Sequence, residues 1–509
     1  MEVQTRHPGD CQVVWYVVGL VRPAKTAPKK EKGAYHTHED LAVYHWRKVG
    51  MSSTIQTLNP EFGSLEPSSG VGDILCFPFC SVMERTKKSS TKRHKKVSDT
   101  PPIDRLSALP DGVLCHILSF LPTKLSVSTN ALAKRWRPLW AHVRSLRFEG
   151  EISSDVIHRV MLHHKAKSID TFSLYHVSHC NEFQLDTWIT TAIERNIQLL
   201  DLVHATVMLP RHIFTCKTLV DLRLSDCTGI PSSTNIYLPS LKRLSLRRVK
   251  YEVEEDLPRL LSGCPLLDVL TIVSGNMNRD LGCFNISSPS IKRLNVIFSF
   301  YSPNSEVRVV INAPALRYLK VFTCYYEHMS LSPMTSLVEA DLNLNGVQEH
   351  FYCILSIREL FDCFPNVKRL KLSGCCKFPE AEVAGSIVKF DNLTKLELGV
   401  DWHLINRFLE TADNLEDLII CEVSKDKRNW MESVEDRLLQ SLRTITINGF
   451  GCTERELNMV KYILRNAQVL KRMEIYSGRF AVASKKMVDT LKRILLFHRV
   501  SKECEVAFD

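Results

Sequence analysis

The stretches LVDLRL at 219–224, LKRLSL at 241–246, VKRLKL at 367–372 and LTKLEL at 393–398 share one pattern, in which an apolar residue is followed three and five positions later by two more. Further copies begin at the apolar residues Ile169, Ile197, Leu267, Ile291, Leu316, Leu337, Leu415, Leu442 and Leu470, with those at Ile169, Ile197 and Leu337 the loosest. From Leu219 to Leu470 ten intervals span 251 residues, about 25 residues each. A fixed period of this length predicts a repeat architecture with one short strand in each unit.

The repeat resembles the leucine-rich repeat, whose period is 20–29 residues. Cys227, Cys324 and Cys375 each lie eight residues after the start of a copy, where that repeat carries Asn or Cys. A proline precedes five of the starts by two residues, which ends one unit and leads into the next strand: Pro239, Pro265, Pro289, Pro314 and Pro365. The pattern therefore predicts an irregular α/β solenoid over 149–436, with parallel strands on its concave face.

Side chains alternate across a strand, so the residues that flank the inward leucines should share the concave face. Those that we expect to contact a target there are Arg223, Arg243, Arg247, Arg293, Tyr318, Lys320, Phe322, Arg369 and Lys371. Such a surface fits a partner with acidic or phosphorylated groups, because arginine binds these anions with two parallel hydrogen bonds. A solvated face whose basic residues belong to the repeat pattern itself is the other interpretation.

A short helical module precedes the repeats. Within 104–148, apolar residues at spacings of three and four predict a helix that begins after Pro110 and ends at Pro122. Thr123 is a candidate cap for a second helix that continues through 127–132, and a third run carries Trp136, Leu139 and Trp140 on one face. Three short helices cannot enclose a core of their own, so this module needs a partner surface or the following domain.

The C-terminal part, 437–508, reads as an α+β unit. Residues 441–476 form a strand, a glycine turn, a helix and a second strand, and Thr453 with Glu456 makes a capping box for that helix. A further amphipathic helix is expected over 488–497. We expect this unit to close the open end of the repeat array.

Half of the net charge of +10 lies in one segment. Residues 83–103 form a basic arm that has almost no apolar side chains to bury, and Lys92, Arg93, Lys95 and Lys96 are candidates for a nuclear-import signal, with a solubilising linker as the other interpretation. No aromatic residue interleaves this run, which argues against nucleic-acid binding. Residues 1–82 show no periodicity, and we expect a disordered segment or an upstream extension, with Met83 as the working start.

Several classes of protein are disfavoured by the composition. An apolar fraction of 44% is too high for a mostly disordered chain, and the longest apolar run, 11–21, is too short to span a membrane. The 17 cysteines contain no C-x-x-C pair, which fits free thiols in a reducing compartment better than zinc or disulfide sites. Nucleotide-binding, serine-hydrolase and zinc-protease motifs do not occur. We therefore expect no catalytic residues, no metal and no cofactor.

The helical module resembles the F-box, and 437–508 resembles the FBD region, so the chain is similar to plant F-box/LRR-repeat/FBD-domain proteins. The F-box resemblance implies contact with a Skp-type adaptor, and through it a cullin–RING ubiquitin ligase, by eleven residues: Leu109, Pro110, Val113, Leu114, Ile117, Leu118, Leu121, Pro122, Trp136, Leu139 and Trp140. It implies a non-catalytic substrate-recognition subunit, in the nucleus or cytoplasm, whose repeats bind a target protein for ubiquitination. A leucine-rich-repeat scaffold or small-molecule co-receptor that does not act through a ligase is the alternative.

Overall fold

The computed structural model describes residues 106–508 except 151, 176, 179, 204–207, 228, 231–234, 275–282, 299–307, 324–327, 345–361, 375–388, 400–401, 422–438 and 478–484. The proposed extension over 1–82 and the four import residues Lys92, Arg93, Lys95 and Lys96 lie outside the described residues. Everything below concerns the unit that begins at Leu109.

The described part of the chain contains eight α-helices and twenty strands. The α-helices are α1 (Asp111–Ser119), α2 (Thr123–Ser128), α3 (Ser154–His163), α4 (Glu182–Glu194), α5 (Asp256–Ser262), α6 (Trp402–Thr411), α7 (Glu454–Asn466) and α8 (Lys485–Leu495). Short 3-10 helices cover Thr129–Ala131, Lys134–Trp136, Leu139–His142 and Arg211–Thr215. The strands are β1 (Ser145–Phe148), β2 (Ile152–Ser153), β3 (Thr171–Tyr175), β4 (Val177–Ser178), β5 (Leu199–Val203), β6 (Asp221–Ser225), β7 (Arg243–Arg247), β8 (Val269–Ser274), β9 (Cys283–Ser287), β10 (Arg293–Phe298), β11 (Arg308–Asn312), β12 (Tyr318–Thr323), β13 (His328–Leu331), β14 (Glu339–Leu344), β15 (Arg369–Ser373), β16 (Lys395–Gly399), β17 (Asp417–Cys421), β18 (Thr444–Phe450), β19 (Arg472–Ser477) and β20 (Glu505–Phe508).

One parallel sheet runs through the whole unit. Among the described residues it has fifteen strands in the order β1-β3-β5-β6-β7-β8-β10-β12-β14-β15-β16-β17-β18-β19-β20, so successive repeats lie side by side. Each of the thirteen repeat copies expected from the sequence begins two residues before one of these strands. The predicted parallel sheet with a repeat region is confirmed.

The sheet begins earlier and ends later than the repeat pattern predicts. Strand β1 lies inside the stretch assigned to the helical module, and β20 adds a last strand next to β19. Strands β18 to β20 of the C-terminal region continue the same sheet, with β17 paired to β18. The α+β region is thus an extension of the repeat array rather than a separate layer.

The two faces of the sheet differ in burial. In β7, β10 and β15 the second and fourth residues are buried, whereas the first, third and fifth are exposed or half-buried. The buried residues pack into one continuous apolar core that also takes residues from α3 to α8 and from β9 and β11. We call the other side, formed by the first, third and fifth residues of each strand, the open face.

Candidate functional site

The helical module buries apolar residues of its own and also packs on the following domain, as expected, since Trp140 and Ala141 belong to the core of the repeat sheet. Helix α1 buries Leu114 and Leu118 completely, and Trp136 is 1% exposed, which fits the spacing of three and four that the sequence shows. The second helix ends at Ser128, four residues earlier than predicted, and Pro122 rather than Thr123 occupies its N-cap. The run with the two tryptophans forms 3-10 turns instead of a third α-helix.

The module is attached to the first edge of the sheet by hydrogen bonds. The Thr123 hydroxyl accepts the backbone N–H of Arg147 on β1 at 2.7 Å, and the Arg147 guanidinium donates to the Ser119 carbonyl at 2.7 Å. The backbone N–H groups of Lys165 and Ala166 donate to the Ala141 carbonyl at 2.7 and 3.0 Å. The hydroxyl that the sequence suggested as a helix cap therefore joins the module to the sheet.

Most residues predicted to contact an adaptor lie in the interior of the module. Seven of them are less than 10% exposed: Leu114, Ile117, Leu118, Leu121, Trp136, Leu139 and Trp140, the last of which belongs to the core of the repeat sheet. Leu109 and Pro122 are half-buried, whereas Pro110 and Val113 are exposed. Direct contact of the seven core residues with a partner stays a prediction, and in this conformation they stabilise the module instead.

The sequence reasoning missed three exposed apolar residues of the module. Phe120, Leu125 and Leu132 are exposed by 47%, 42% and 43%, beside 43% for Val113. Val113 and Phe120 are seven residues apart, which places them on the same side of α1 and its C-cap. In the sequence, Phe120, Leu125 and Leu132 are apolar but fall outside the apolar stripe predicted for α1, and this mismatch could have identified them.

All nine predicted target-contacting residues lie on the open face. Arg243, Arg293, Tyr318 and Arg369 occupy first positions, the remaining ones occupy third or fifth positions, and each is exposed or half-buried. Residues of one position on neighbouring strands lie opposite each other, as Arg293 does with Tyr318 and Arg247 with Val273. The face is therefore one surface, and whether it contacts a target stays a prediction.

Most of these cations already have acidic partners on the same face. Arg369 pairs with Glu339 at 2.6 Å, Lys371 with Glu397 at 2.5 Å, and Lys320 with Asp341 at 2.9 Å. Each pair joins neighbouring strands at equivalent positions. The excess of basic residues that the sequence suggested is therefore largely neutralised from β14 to β16.

A second cluster of charges lies at β5 to β7. Asp221 is 2% exposed and accepts hydrogen bonds from Arg223 and Arg243. Asp201, 7% exposed, accepts the Tyr175 hydroxyl at 2.7 Å, and Arg223 lies 4.0 Å away. Burial raises the pKa of the Asp201 carboxyl, and burial together with the neighbouring carboxylate raises the pKa of Tyr175.

A groove of about 640 Å³ lies at the amino-terminal ends of β15 to β19. Apart from Val469, its lining residues are polar or charged: Lys368, Asp391, Asn392, Thr394, Asn414, Glu416, Gln440, Ser441, Arg443 and Lys471. Pockets for small organic ligands are mostly apolar and concave. This groove does not have that character.

Nothing in the described part of the chain indicates bound metal or a membrane span. Across the described ranges of 106–508, no group of three His, Cys, Asp or Glu side chains is placed to hold a metal ion. A search of the same residues finds no helix with the length and apolarity to cross a bilayer. His164, in a His-rich stretch, is buried and bonds to the Val143 carbonyl at 2.7 Å and to Arg195 at 3.0 Å, as a packed polar residue does.

Comparison with known proteins agrees with the order of these elements. The family model for the LRR repeats of the FBD-associated F-box protein At5g56370 matches residues 185–342, and the FBD model matches residues 432–475. The chain is 31% identical over 446 residues to the putative FBD-associated F-box protein At5g56440 of Arabidopsis thaliana, covering 80% of this chain and 100% of that protein. It is 29% identical over 437 residues to the Arabidopsis F-box/FBD/LRR-repeat protein At3g52680, covering 80% of this chain and 93% of that protein.

Proposed function

The chain belongs to the FBD-associated F-box proteins, and from this premise we propose that it is the substrate-recognition subunit of a Skp–cullin–F-box ubiquitin ligase. In this role the helical module is the F-box and binds a Skp-type adaptor, while the open face of the sheet binds the target protein. The chain itself needs no catalytic group, because holding a target beside the ubiquitin-loaded enzyme raises its effective concentration there.

The observation that carries the proposal is the distribution of apolar residues in the module. Leu114, Leu118 and Trp136 are at most 1% exposed, so the module buries its large apolar side chains without covering every apolar residue that it has. Phe120, Leu125 and Leu132 nevertheless remain more than 40% exposed, and the three lie within twelve positions of one another in the sequence. Fully burying an apolar side chain of this size contributes about 1.5–3 kcal/mol, and because these three are already more than half buried, a partner that covers them gains roughly half of that from each.

The attachment of the module to β1 supports the same function. Hydrogen bonds from Arg147 to Thr123 and Ser119, and from Lys165 and Ala166 to Ala141, join the module to the repeat sheet. A target on the open face would then keep a defined orientation toward an adaptor on the module. Defined orientation is what a proximity-based transfer requires.

The small-molecule alternative has less support. The groove at the ends of β15 to β19 is open and polar, whereas a receptor pocket for an organic ligand is expected to be mainly apolar. A scaffold without ligase function would need the same open face but would not require exposed apolar residues on the module. The test therefore concentrates on the module.

The decisive experiment is co-purification of the full chain with a recombinant Skp-type adaptor and cullin. A triple variant, Phe120→Asp, Leu125→Asp and Leu132→Asp, should reduce adaptor recovery at least tenfold, because each charge would lie at the apolar contact. The double variant Leu162→Asp and Phe183→Asp, at residues that are 68% and 79% exposed on α3 and α4, is the matched control and should recover the adaptor normally.

Core variants are unsuitable for this test. Leu114 and Leu118 are fully buried, so an aspartate there would unfold the module and remove binding for that reason alone. Failure of the wild-type chain to recover any adaptor would refute the proposed function. Equal recovery by the triple variant, with unchanged circular dichroism, would refute the proposed contact surface.

A further inference from the structure

Four neighbouring strands of the open face carry no carboxylate. We call this surface the acid-free window. It consists of the first, third and fifth residues of β7, β8, β10 and β12: Arg243, Ser245, Arg247, Val269, Thr271, Val273, Arg293, Asn295, Ile297, Tyr318, Lys320 and Phe322. These strands are consecutive in the sheet, so the window is continuous.

Carboxylates border the window on both sides and neutralise its outer cations. Asp221 on β6 binds Arg243 at 2.9 Å, and Asp341 on β14 binds Lys320 at 2.9 Å. Two cations inside the window remain, Arg247 and Arg293. Neither forms an ion pair with any residue that the structure describes. Arg247 interacts with the buried carboxyl of Asp201 only at longer range, so the N–H groups of both arginines remain available to a partner.

Arg247 stands at the end of an apolar row. It is exposed at the fifth position of β7, and the fifth positions of the next three strands are Val273, Ile297 and Phe322, which lie in register. All three apolar side chains are only half-buried. A guanidinium beside an apolar strip is suited to a ligand that has an anion next to an apolar group.

Arg293 is held in place by an aromatic ring. Its guanidinium carbon lies 4.3 Å from the centroid of the Tyr318 ring, which is within the range of a cation–π contact. This contact keeps the guanidinium over the ring, and its N–H groups donate to no residue that the structure describes. A guanidinium held in this way can bind a carboxylate with two parallel hydrogen bonds.

We infer that the acid-free window recognises an acidic and apolar segment of the target protein, with carboxylates bound by Arg247 and Arg293 and apolar side chains packed on Val273, Ile297 and Phe322. This inference rests on the proposed target-binding role of the open face. Neighbouring strands lie about 4.8 Å apart, so the three intervals from Arg247 to Phe322 span about 14 Å. An extended chain covers that row with about four residues. Arg293 stands four residues before Ile297 on β10, about 13 Å along the strand, so a segment that reaches both arginines and the apolar row needs about eight residues.

The neighbouring strands explain why recognition would be confined to the window. From β14 to β16 the cations Arg369 and Lys371 already pair with Glu339 and Glu397. A ligand carboxylate would have to displace those partners, which would offset most of the gain. Inside the window, Arg247 and Arg293 have no ion-pair partner among the described residues to give up, and Arg247 has only a longer-range interaction with the buried carboxyl of Asp201.

A random twelve-residue peptide library displayed on phage, selected on the purified full chain, tests the inference. Enriched peptides should carry Asp or Glu within about four positions of Leu, Ile or Phe. The variant Arg247→Glu with Arg293→Glu should bind these peptides roughly a hundredfold more weakly, about tenfold for each lost charge-assisted contact. The control Arg308→Glu with Lys395→Glu makes the same charge change outside the window and should bind within about twofold of wild type.

Adaptor recovery measured on the same variants separates the two proposals. An enriched sequence that is neutral or basic, the absence of any enriched acidic peptide, or equal binding by the window variant would overturn the inference while leaving the ligase function intact. Loss of adaptor recovery by the wild-type chain would instead refute the proposed function.

Discussion

Replacing Asp221 with alanine should loosen the sheet locally around β5 to β7. This carboxylate is 2% exposed and accepts hydrogen bonds from Arg223 Nε at 3.1 Å, Arg223 Nη2 at 2.9 Å and Arg243 Nε at 2.9 Å. A hydrogen bond to a charged group contributes about 1.5–3 kcal/mol. About half of each arginine side chain remains in water, and removing the carboxylate also relieves its desolvation, so we expect a net loss of about 2 kcal/mol.

Hydrogen exchange measured by mass spectrometry is the suitable assay, because a repeat array need not unfold in one step and local opening is what this change affects. A loss of about 2 kcal/mol corresponds to roughly thirtyfold faster exchange in peptides that cover β5, β6 and β7. The matched control is Glu339→Ala. In the ion pair that this variant removes, the Glu339 side chain is 36% exposed and the Arg369 side chain 50% exposed. Exposed pairs contribute about 0–1 kcal/mol, so exchange at β14 and β15 should accelerate by less than about fivefold.

The difference in exchange rate between Asp221→Ala and Glu339→Ala tests whether burial strengthens an ion pair. Acceleration of less than about threefold at β5 to β7 in Asp221→Ala would mean that the buried carboxylate contributes no more than a surface ion pair. Equal acceleration in both variants would show that burial does not determine the strength of these pairs. Either result would refute the estimate.

Two further predictions concern stability. Burial raises the pKa of Asp201 in the folded state, so the ionised carboxylate destabilises the fold at neutral pH, and this destabilisation disappears as the pH falls through the raised pKa toward the ordinary value. The variant Asp201→Asn still accepts the Tyr175 hydroxyl and should unfold at a higher urea concentration than wild type at pH 7, with the difference shrinking toward pH 4. A difference that stays constant with pH would contradict this prediction. A Cβ at Gly263 would lie 2.5 Å from the Ile236 carbonyl oxygen, so Gly263→Ala should destabilise the fold by about 1–3 kcal/mol. In contrast, Gly112→Ala, which has nothing within 4 Å, should stabilise α1 by up to about 1 kcal/mol; urea midpoints that rank these two variants the other way would contradict the steric argument.

The strands were predictable because their signal is local. Every copy of the repeat lies within six residues, and alternation along a strand assigns each side chain to a face without any tertiary information. The capping box of Thr453 and Glu456 is equally local, and both of its hydrogen bonds are present at the start of α7.

Elements whose signal overlaps another pattern were missed. Residues Val143, Leu146 and Phe148 match the repeat template and mark β1, but they fall in the stretch assigned to the helical module. At β20 only Val506 and Phe508 match, because Glu503 stands at the first apolar position. Strands β9, β11 and β13 form a separate three-stranded sheet that the 25-residue period did not predict, because the period describes only the strands of the main sheet.

The sequence by itself determined which residues form the strands and which of their side chains share the open face, because both follow from a pattern a few residues long. Only the tertiary structure decided which of those charges remain available. Arg243 and Asp221 are 22 residues apart and Arg369 and Glu339 are 30 apart, and they pair because their strands are neighbours in register. The same packing buries the predicted adaptor contacts of the module and leaves Phe120, Leu125 and Leu132 at its surface, since burial depends on what other segments cover.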